Sequence, residues 1–561
     1  MLWNTKARSA LLVALLSGLS AVSCLAPKTF ASPKGLEPLT TEDLTRYAVI
    51  PRPRVLQPAP GHFVWTAETR IVAPSEAAAH GVAQYLAELV ATPTGFKPQL
   101  EEGSAAKPGA VSLRLDPSVS EDEGYRLTVD ASSVDISANS VRGLFYGVQT
   151  LRQLLPTALD STSKAKLSTW EVPAVHVEDA PRFAYRGMHL DVGRHFFPAP
   201  FIKQYIDWLA RYKFNTFHWH LTDDQGWRIE IKQYPKLTEV GGYRKETLIG
   251  HSHDLPAKFD GTRYGGFYTQ EQIKDVVSYA TSRFVTIVPE IEMPGHSLAA
   301  IAAYPELACS PGAYEVGTKW GIFEDILCPK EETFTFLQNV LGEVIELFPG
   351  PYVHVGGDEA PKARWRESEL VQRLKAEQHL TSEDEVQSYF IKRIDDFLNS
   401  KQRKLVGWDE ILAGGLSPNA VVMSWRGFDG GTRAAQLGHS VIMTPHSFCY
   451  FDQYQASPGA EPLAIGGQIP VEKVYAFEPV PIDLPADQRH FVIGAQGSVW
   501  TEYMATPDQV EYMVFPRLLA LSETIWSPAE TRNYPSFVTR LRPNAKRLQQ
   551  LGIKVAPHVL D

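Results

Sequence analysis

Positive charge is in short supply in this chain: 54 Lys and Arg stand against 64 Asp and Glu in 561 residues, a formal net charge of −10. No basic stripe offsets that balance. Nucleic acids are held largely by Lys and Arg on phosphates, so the scarcity excludes a nucleic-acid-binding protein. Long apolar runs are rarer still. Beyond the first 31 residues no segment is apolar for long enough to cross a bilayer, which excludes a bundle of membrane-spanning helices. Cysteine is sparse too: Cys24, Cys309, Cys328 and Cys449 allow two bridges at most. What is present is ordinary, 44% hydrophobic and 21% charged, as in a soluble globular protein. The length calls for two or three domains.

The one apolar run, ALLVALLSGLSAVSCLA, follows Lys6 and Arg8 and reads as an export signal over residues 1–31. Two processing routes are open. Cleavage follows Ala31 in TFA, or lipoprotein-type processing at AVSC turns Cys24 into a lipid anchor. An uncleaved membrane anchor is a third reading, but the run is short for a span. Residues 1–31 carry Lys6, Arg8 and Lys28 and no acid, so the exported body has a charge of −13. Its expected place is outside the cytoplasm, periplasmic, secreted or tethered to an outer membrane, where disulfides persist. Cys309 and Cys328 bracket the turn-rich SPGAYEVGTKWGIFEDIL and are read as a bridge that leaves Cys449 over. Three buried free thiols are the alternative.

Residues 40–180 predict a small α+β domain. GVAQYLAELV places Val82, Tyr85, Leu86, Leu89 and Val90 at helical spacing, and SVRGLFYGVQTLRQLL is helical again. Between them YRLTVDASSVDISA alternates like a hairpin turning at DASS. The polar DSTSKAKLST, Asp160 to Thr169, reads as a linker or loop. From 181 to 528 eight β-prone runs alternate with helical ones: YRGMHLDVGR, FNTFHWHLTDD, FVTIVPEIEMPGH, PYVHVGGDE, KLVGWDE, NAVVMSWRG, HSVIMTPHSFCYFD and FVIGAQGSVWTE. One of the helices, TQEQIKDVVSYA, opens on a capping box of Thr269 and Gln272. The pattern predicts an α/β fold, a (β/α)8 TIM barrel, with 529–561 as a closing helix and tail. Such a barrel gathers the polar ends of the runs (Arg194, Asp223, Glu292, Asp358, Asp409, Trp425, Asp452, Glu502) at one rim, where barrel active sites sit.

YVHVGGDEA sets two carboxylates, Asp358 and Glu359, side by side behind Gly356 and Gly357. Hydrolysis of a sugar bond usually needs two carboxyl groups facing each other across that bond, which chain neighbours cannot easily provide. The motif resembles the signature of glycoside hydrolase family 20, the exo-β-N-acetylhexosaminidases. DVGRHF, HWHLTDDQGWR, EIEMPGH, VGWDE and SVWTE follow that family's order over most of 182–528, and the preceding small domain resembles the family's own. The resemblance implies an exo-acting retaining glycosidase that releases terminal non-reducing β-linked N-acetylhexosamine. In that chemistry the substrate's acetamido oxygen is the nucleophile and an oxazolinium is the intermediate. Glu359 is then the general acid and base, and Asp358 orients the acetamido N–H. Arg194, Asp452 and Glu502 hold sugar hydroxyls and Tyr450 bonds the acetamido oxygen. Trp408, Trp425 and Trp500 wall the pocket. Asp223 and His296 form a relay behind the acid, and Glu292 supports it. Neither cofactor nor metal is implied, and the partner is a small oligosaccharide or glycan.

Two departures from the family pattern stand out. No tryptophan lies between Asp452 and Trp500, so Tyr475 or Phe477 is the candidate outer wall unless the outer subsite differs. Cys449 precedes Tyr450, where a thiol implies sensitivity to mercurials. Competing readings are a related barrel that releases a disaccharide, a non-catalytic sugar-binding protein, and a metal-dependent hydrolase. The last rests on His218 and His220, which alternation puts on one face of a strand. His354 is read as a satisfied core histidine.

Overall fold

The computed structural model describes residues 39–560; the export signal and Cys24 lie outside the described residues. The first layer is a mixed sheet of seven strands. Its order is Val55–Trp65, Trp170–Asp179, Tyr125–Val129, Val134–Ala138, Ala110–Leu115, Arg70–Ala73 and Leu100–Glu102. The expected hairpin is antiparallel, Tyr125 against Ala138 to Val129 against Val134. Its turn forms because Asp130 accepts the Ser132 and Ser133 N–H groups at 2.6 and 2.9 Å. The two expected helices, Ala77–Thr94 and Val141–Leu154, pack on the sheet.

Eight parallel strands then close into a barrel in chain order. They are β1 (Tyr185–Asp191), β2 (Thr216–His220), β3 (Thr286–Met293), β4 (Tyr352–Gly356), β5 (Lys404–Trp408), β6 (Val421–Ser424), β7 (Val441–Met443) and β8 (Val492–Gly497). Each falls within one of the eight predicted runs, and β8 pairs back onto β1. Every residue of β1 and β2 is buried, as it must be in strands covered by helices outside and side chains within. The Thr269–Gln272 capping box is formed at the head of the helix Gln270–Ser282.

The sheet and the barrel share a polar seam. Lys213 and Asp179 pair at 2.9 Å with neither side chain exposed, and Trp526 Nε1 donates to the same carboxylate at 3.0 Å. Arg186 reaches across to Glu123 at 2.7 Å. The DSTSKAKLST stretch is a loop, but it is anchored rather than free. Its first residue, Asp160, is buried and gathers Arg152 at 2.7 Å, Arg547 at 3.2 Å and Arg211. The last long helix, Tyr534–Gln550, returns to the chain's start. There Arg540 donates to the Val49 carbonyl at 2.8 Å and Asn544 to that of Ala48 at 2.7 Å. Among the described residues no helix is long and apolar enough to cross a membrane.

Candidate active site

All the residues singled out for chemistry lie at or just beyond the C-terminal ends of barrel strands. Arg194 follows β1, Asp223 follows β2, and Glu292 and His296 end β3. Asp358 and Glu359 follow β4. Trp408 ends β5, Trp425 follows β6, Tyr450 and Asp452 follow β7, and Trp500 and Glu502 follow β8. Asp409 is also there, but it turns away to bind Arg426 at 2.6 Å and the Ser424 hydroxyl.

The turn after β4 is shaped by what it must avoid. A Cβ on Gly356 would overlap the Glu292 carboxylate, and one on Gly357 would come within 2.7 Å of Ile411 Cγ2. Both glycines have positive φ, 67° and 91°. Glu359 itself is held in the left-handed region at φ 41°, and His296 opposite it at φ 48°. Two non-glycine residues in that region at one site indicate backbone held under strain by its surroundings. The outcome is division by depth: the Asp358 side chain is 12% exposed and that of Glu359 is 35% exposed. One oxygen from each and a nitrogen of His296 fall within 4.8 Å of one another.

Electrostatics around the pair follow from burial. Burial first, then the charges of Glu290 and Glu359, push Asp358 up to about 7 against the pull of His296. Burial raises Glu292 well above the ordinary carboxyl range, with the charges of Asp358 and Glu290 adding to it. Burial opposes a charged His296, yet Asp223 and the hydrogen bond to Asp224 hold it well above the usual imidazole value. Its Nε2 faces Glu359 at 3.5 Å and Asp358 at 3.8 Å.

The far wall is aromatic. Trp408 and Trp500 lie 5.7 Å apart, Trp425 stacks on Tyr450 at 6.0 Å, and Tyr450 meets Trp500 at 6.3 Å. The Trp425 indole N–H is fixed by Glu410 at 3.0 Å. Arg194 lies against Trp500, 5.1 Å from its ring centre, and bonds Asp223 at 2.9 Å and Gln225 at 3.0 Å. Glu502 faces it at 3.9 Å. Asp452 is pushed up to about 8 by burial and by Glu502, and its Oδ1 has no hydrogen-bond partner among the described residues.

Several functional neighbours were not singled out from sequence. Asp224 is nearer to His296 Nδ1 than Asp223 is, 3.1 against 3.4 Å, so His296 meets two acids there where one was expected. The Asp-Asp doublet was its only signal. Asp191 accepts the Arg194 N–H at 3.1 Å and the Thr501 N–H at 3.0 Å, joining the DVGRHF and SVWTE motifs. Gln225 and Glu410 hold Arg194 and Trp425 respectively. The expected bridge is formed between Cys309 and Cys328, and the loop it closes cradles this region. Gly317 N–H donates to the Asp224 carbonyl at 2.9 Å, and Gln225 donates to the Lys319 carbonyl at 3.0 Å.

Neither candidate for an outer wall serves as one. Tyr475 bonds Glu523 at 2.9 Å and packs on Phe537 of the last helix, while Phe477 is buried against Phe448. Cys449 is fully buried, and burial raises its thiol well above the normal value, which argues against easy attack by mercurials.

His218 and His220 point into the barrel core, toward Glu290. His189, His218 and Glu290, and separately His220, Glu290 and Glu292, bring ligand-type atoms within 4.8 Å. Both nitrogens of His220 and both of His296 face carboxylate oxygens, the bonding of an imidazolium rather than of a neutral metal ligand. His218 Nδ1 meets the Gln496 amide at 3.0 Å and its Nε2 faces Glu290 at 3.1 Å. His354 is buried in the core, its Nδ1 3.1 Å from the Gly356 N–H and 2.6 Å from Glu290, but it is not fully satisfied, because its Nε2 has no hydrogen-bond partner among the described residues.

A TIM barrel whose rim carries adjacent carboxyl groups, a buried arginine and a cluster of tryptophans is the architecture of a glycoside hydrolase. Two family descriptions match, "Glycosyl hydrolase family 20, catalytic domain" over residues 183–529 and "Glycosyl hydrolase family 20, domain 2" over 46–180. The chain belongs to glycosyl hydrolase family 20. A β-hexosaminidase of Porphyromonas gingivalis is 45% identical over 508 residues, 90% of this chain and 64% of that relative. This chain therefore spans a little under two thirds of that protein. The Streptomyces coelicolor A3(2) GH20 β-N-acetylhexosaminidase structure superposes with a TM-score of 0.79 at 34% identity, covering 93% of this chain and 98% of that one. A mutant Streptomyces plicatus β-hexosaminidase in complex with product (GlcNAc) gives the same score and identity, covering 91% and 96%.

Proposed function

We propose that this chain is an exo-acting β-N-acetylhexosaminidase that works with retention through a nucleophile supplied by its substrate. The observation that carries the reading is the adjacency of Asp358 and Glu359 on one turn, the first buried and the second facing solvent. Glycosidases that use a protein nucleophile or a base-activated water set their carboxyl groups on opposite sides of the bond, and substrate-assisted enzymes are the known exception. The glycosidic oxygen and the acetamido nitrogen leave neighbouring carbons of one ring, so neighbouring side chains can serve both.

In the first step the acetamido carbonyl oxygen attacks the anomeric carbon, the glycosidic bond breaks, and Glu359 gives its proton to the leaving oxygen. Asp358, as a carboxylate, accepts the acetamido N–H and stabilises the positive charge that develops there. In the second step Glu359 takes a proton from water, which opens the ring intermediate. Trp408, Trp425 and Trp500 shape an apolar pocket for the acetamido methyl and keep water from the cationic centre. Tyr450 donates to the acetamido oxygen, while Arg194, Asp452 and Glu502 grip the ring hydroxyls. The fork of donors on Arg194 suits that task. The substrate is a small oligosaccharide or glycan, and the apolar leader with the Cys309–Cys328 bridge supports action outside the cytoplasm.

The test is hydrolysis of a chromogenic β-GlcNAc glycoside beside the corresponding β-glucoside, which lacks the acetamido group. Turnover confined to the first is expected. Comparable turnover of both, or a sugar ester trapped on a side chain, would overturn the reading.

A further inference from the structure

Behind the site, Asp223 meets three side chains besides the Asp224 N–H, and one of those three is not needed by the reaction as described. Its Oδ2 meets Arg194 Nη2 at 2.9 Å and His220 Nε2 at 3.0 Å, and its Oδ1 faces His296 Nδ1 at 3.4 Å. One carboxylate thus touches the sugar-gripping arginine and the histidine that backs Glu359. The other nitrogen of His220 bonds Glu290. Glu290 is fully buried and also faces His218 and His354, and the strand register sets it between His220 of β2 and His354 of β4. The His220 ring also abuts the indole of Trp500, centre to centre 4.9 Å.

We propose that His220 and Glu290 are positioning residues for the hydrolysis: they brace Asp223 from the barrel core, so that Arg194 and His296 are aimed together. The proposal rests on the acid–base roles given above for Glu359 and His296. The physical case is one of charge and register. A buried carboxylate is costly unless paired, and without His220 Asp223 would divide itself between Arg194 and His296 with only the Asp224 N–H, 2.6 Å from its Oδ1, fixing its plane. His220 supplies a rigid third bond along the strand end, and Glu290 fixes the ring that supplies it. A surface residue could not hold the angle. The register of three adjacent strands can.

A brace of this kind acts on proton delivery and on sugar grip, and a purely structural pair acts on neither selectively. The experiment uses the full chain with His220→Gln and, separately, Glu290→Gln. Two aryl β-GlcNAc glycosides are compared, one with a good leaving group that departs without a proton and one with a poor leaving group that needs it. For the poor substrate kcat is expected to fall about tenfold or more, since positioned acid catalysis is worth on the order of 100-fold or above. For the good substrate kcat should fall markedly less, and KM should rise for both as Arg194 loosens. In kcat on the poor substrate, the double variant His220→Gln with His296→Asn should lose little beyond His296→Asn alone, because both act on Glu359 through one carboxylate. Parallel losses on the two substrates, unchanged kinetics with a lowered Tm, or additive losses in the double variant would each overturn the brace. If His220→Gln does not fold, Glu290→Gln decides by the same split. Wild-type protein that fails to cleave either β-GlcNAc glycoside would refute the underlying enzyme reading instead, so the two failures are told apart before any variant is made.

Discussion

At the scale of single residues, Glu359 and Asp358 differ in what they must be at working pH. Glu359→Gln should lose on the order of 100-fold or more in turnover of substrates with poor leaving groups, and much less where departure needs no proton. Steady-state kinetics on a pair of aryl glycosides decide it, and equal losses would remove Glu359 from the acid role. In the proposed mechanism Asp358 works as a carboxylate, and its surroundings lift it to about 7. The sign follows: kcat/KM should fall as pH drops through about 7, where the carboxylate takes up its proton. Asp452 is the other carboxyl lifted into this range, to about 8. In Asp452→Asn the limb near 7 should persist, and its disappearance would reassign it. The adjacent pair was legible in the sequence because Asp358 and Glu359 stand together behind two glycines. Asp224 was not, since nothing in an Asp-Asp doublet says which carboxylate a distant histidine will meet. That is settled by the turn between Thr222–Asp223 and Gly226–Trp227.

At the scale of elements, the loop closed by Cys309 and Cys328 carries the clearest prediction. Its backbone at Gly317 and Lys319 holds Asp224 and Gln225, and Gln225 holds Arg194. Replacing both cysteines by serine should cost roughly 2–4 kcal/mol in the chain-entropy account. It should also raise KM, because the loop would no longer pin the arginine's support. Calorimetry and initial rates test it, and a lowered Tm with KM unchanged would separate the loop from the site. The eight barrel strands could be read from β-prone runs ending in polar residues, because a buried parallel strand has nowhere to put polarity except its ends. The rim ladders could not. Tyr243–Arg244 against Tyr264–Gly265 and Leu248–Ile249 against Lys258–Phe259 are two residues long, too short for periodicity to register. Tyr475 and Phe477 misled for a related reason: composition places an aromatic residue near a site in sequence, while the helix Val471–Ala476 turns it to the outer layer.

For the whole molecule, the seam between sheet and barrel predicts one cooperative unit. Asp179→Asn would leave Lys213 buried without its partner, and breaking a buried pair on one side costs about 3–5 kcal/mol. A clear drop in a single thermal transition is expected, with activity at 25 °C retained because the active rim is untouched. Two separate transitions in the wild-type chain would show the seam to be weaker than its bonds suggest. None of these cross-contacts was legible in the sequence. The polar Asp160–Thr169 stretch reads as a tether, and the arginines that bury its first residue, Arg152, Arg211 and Arg547, stand 8, 51 and 387 positions from it.

The bonds from Arg540 and Asn544 to the carbonyls of Val49 and Ala48 also set a timetable. A nascent chain leaving the ribosome amino end first cannot satisfy those carbonyls until residues 540 and 544 have emerged. Contacts of such long range form late and slowly. Residues 48 and 49 therefore wait for their partners through the synthesis of both the sheet and the barrel, and the docking of that segment comes after both.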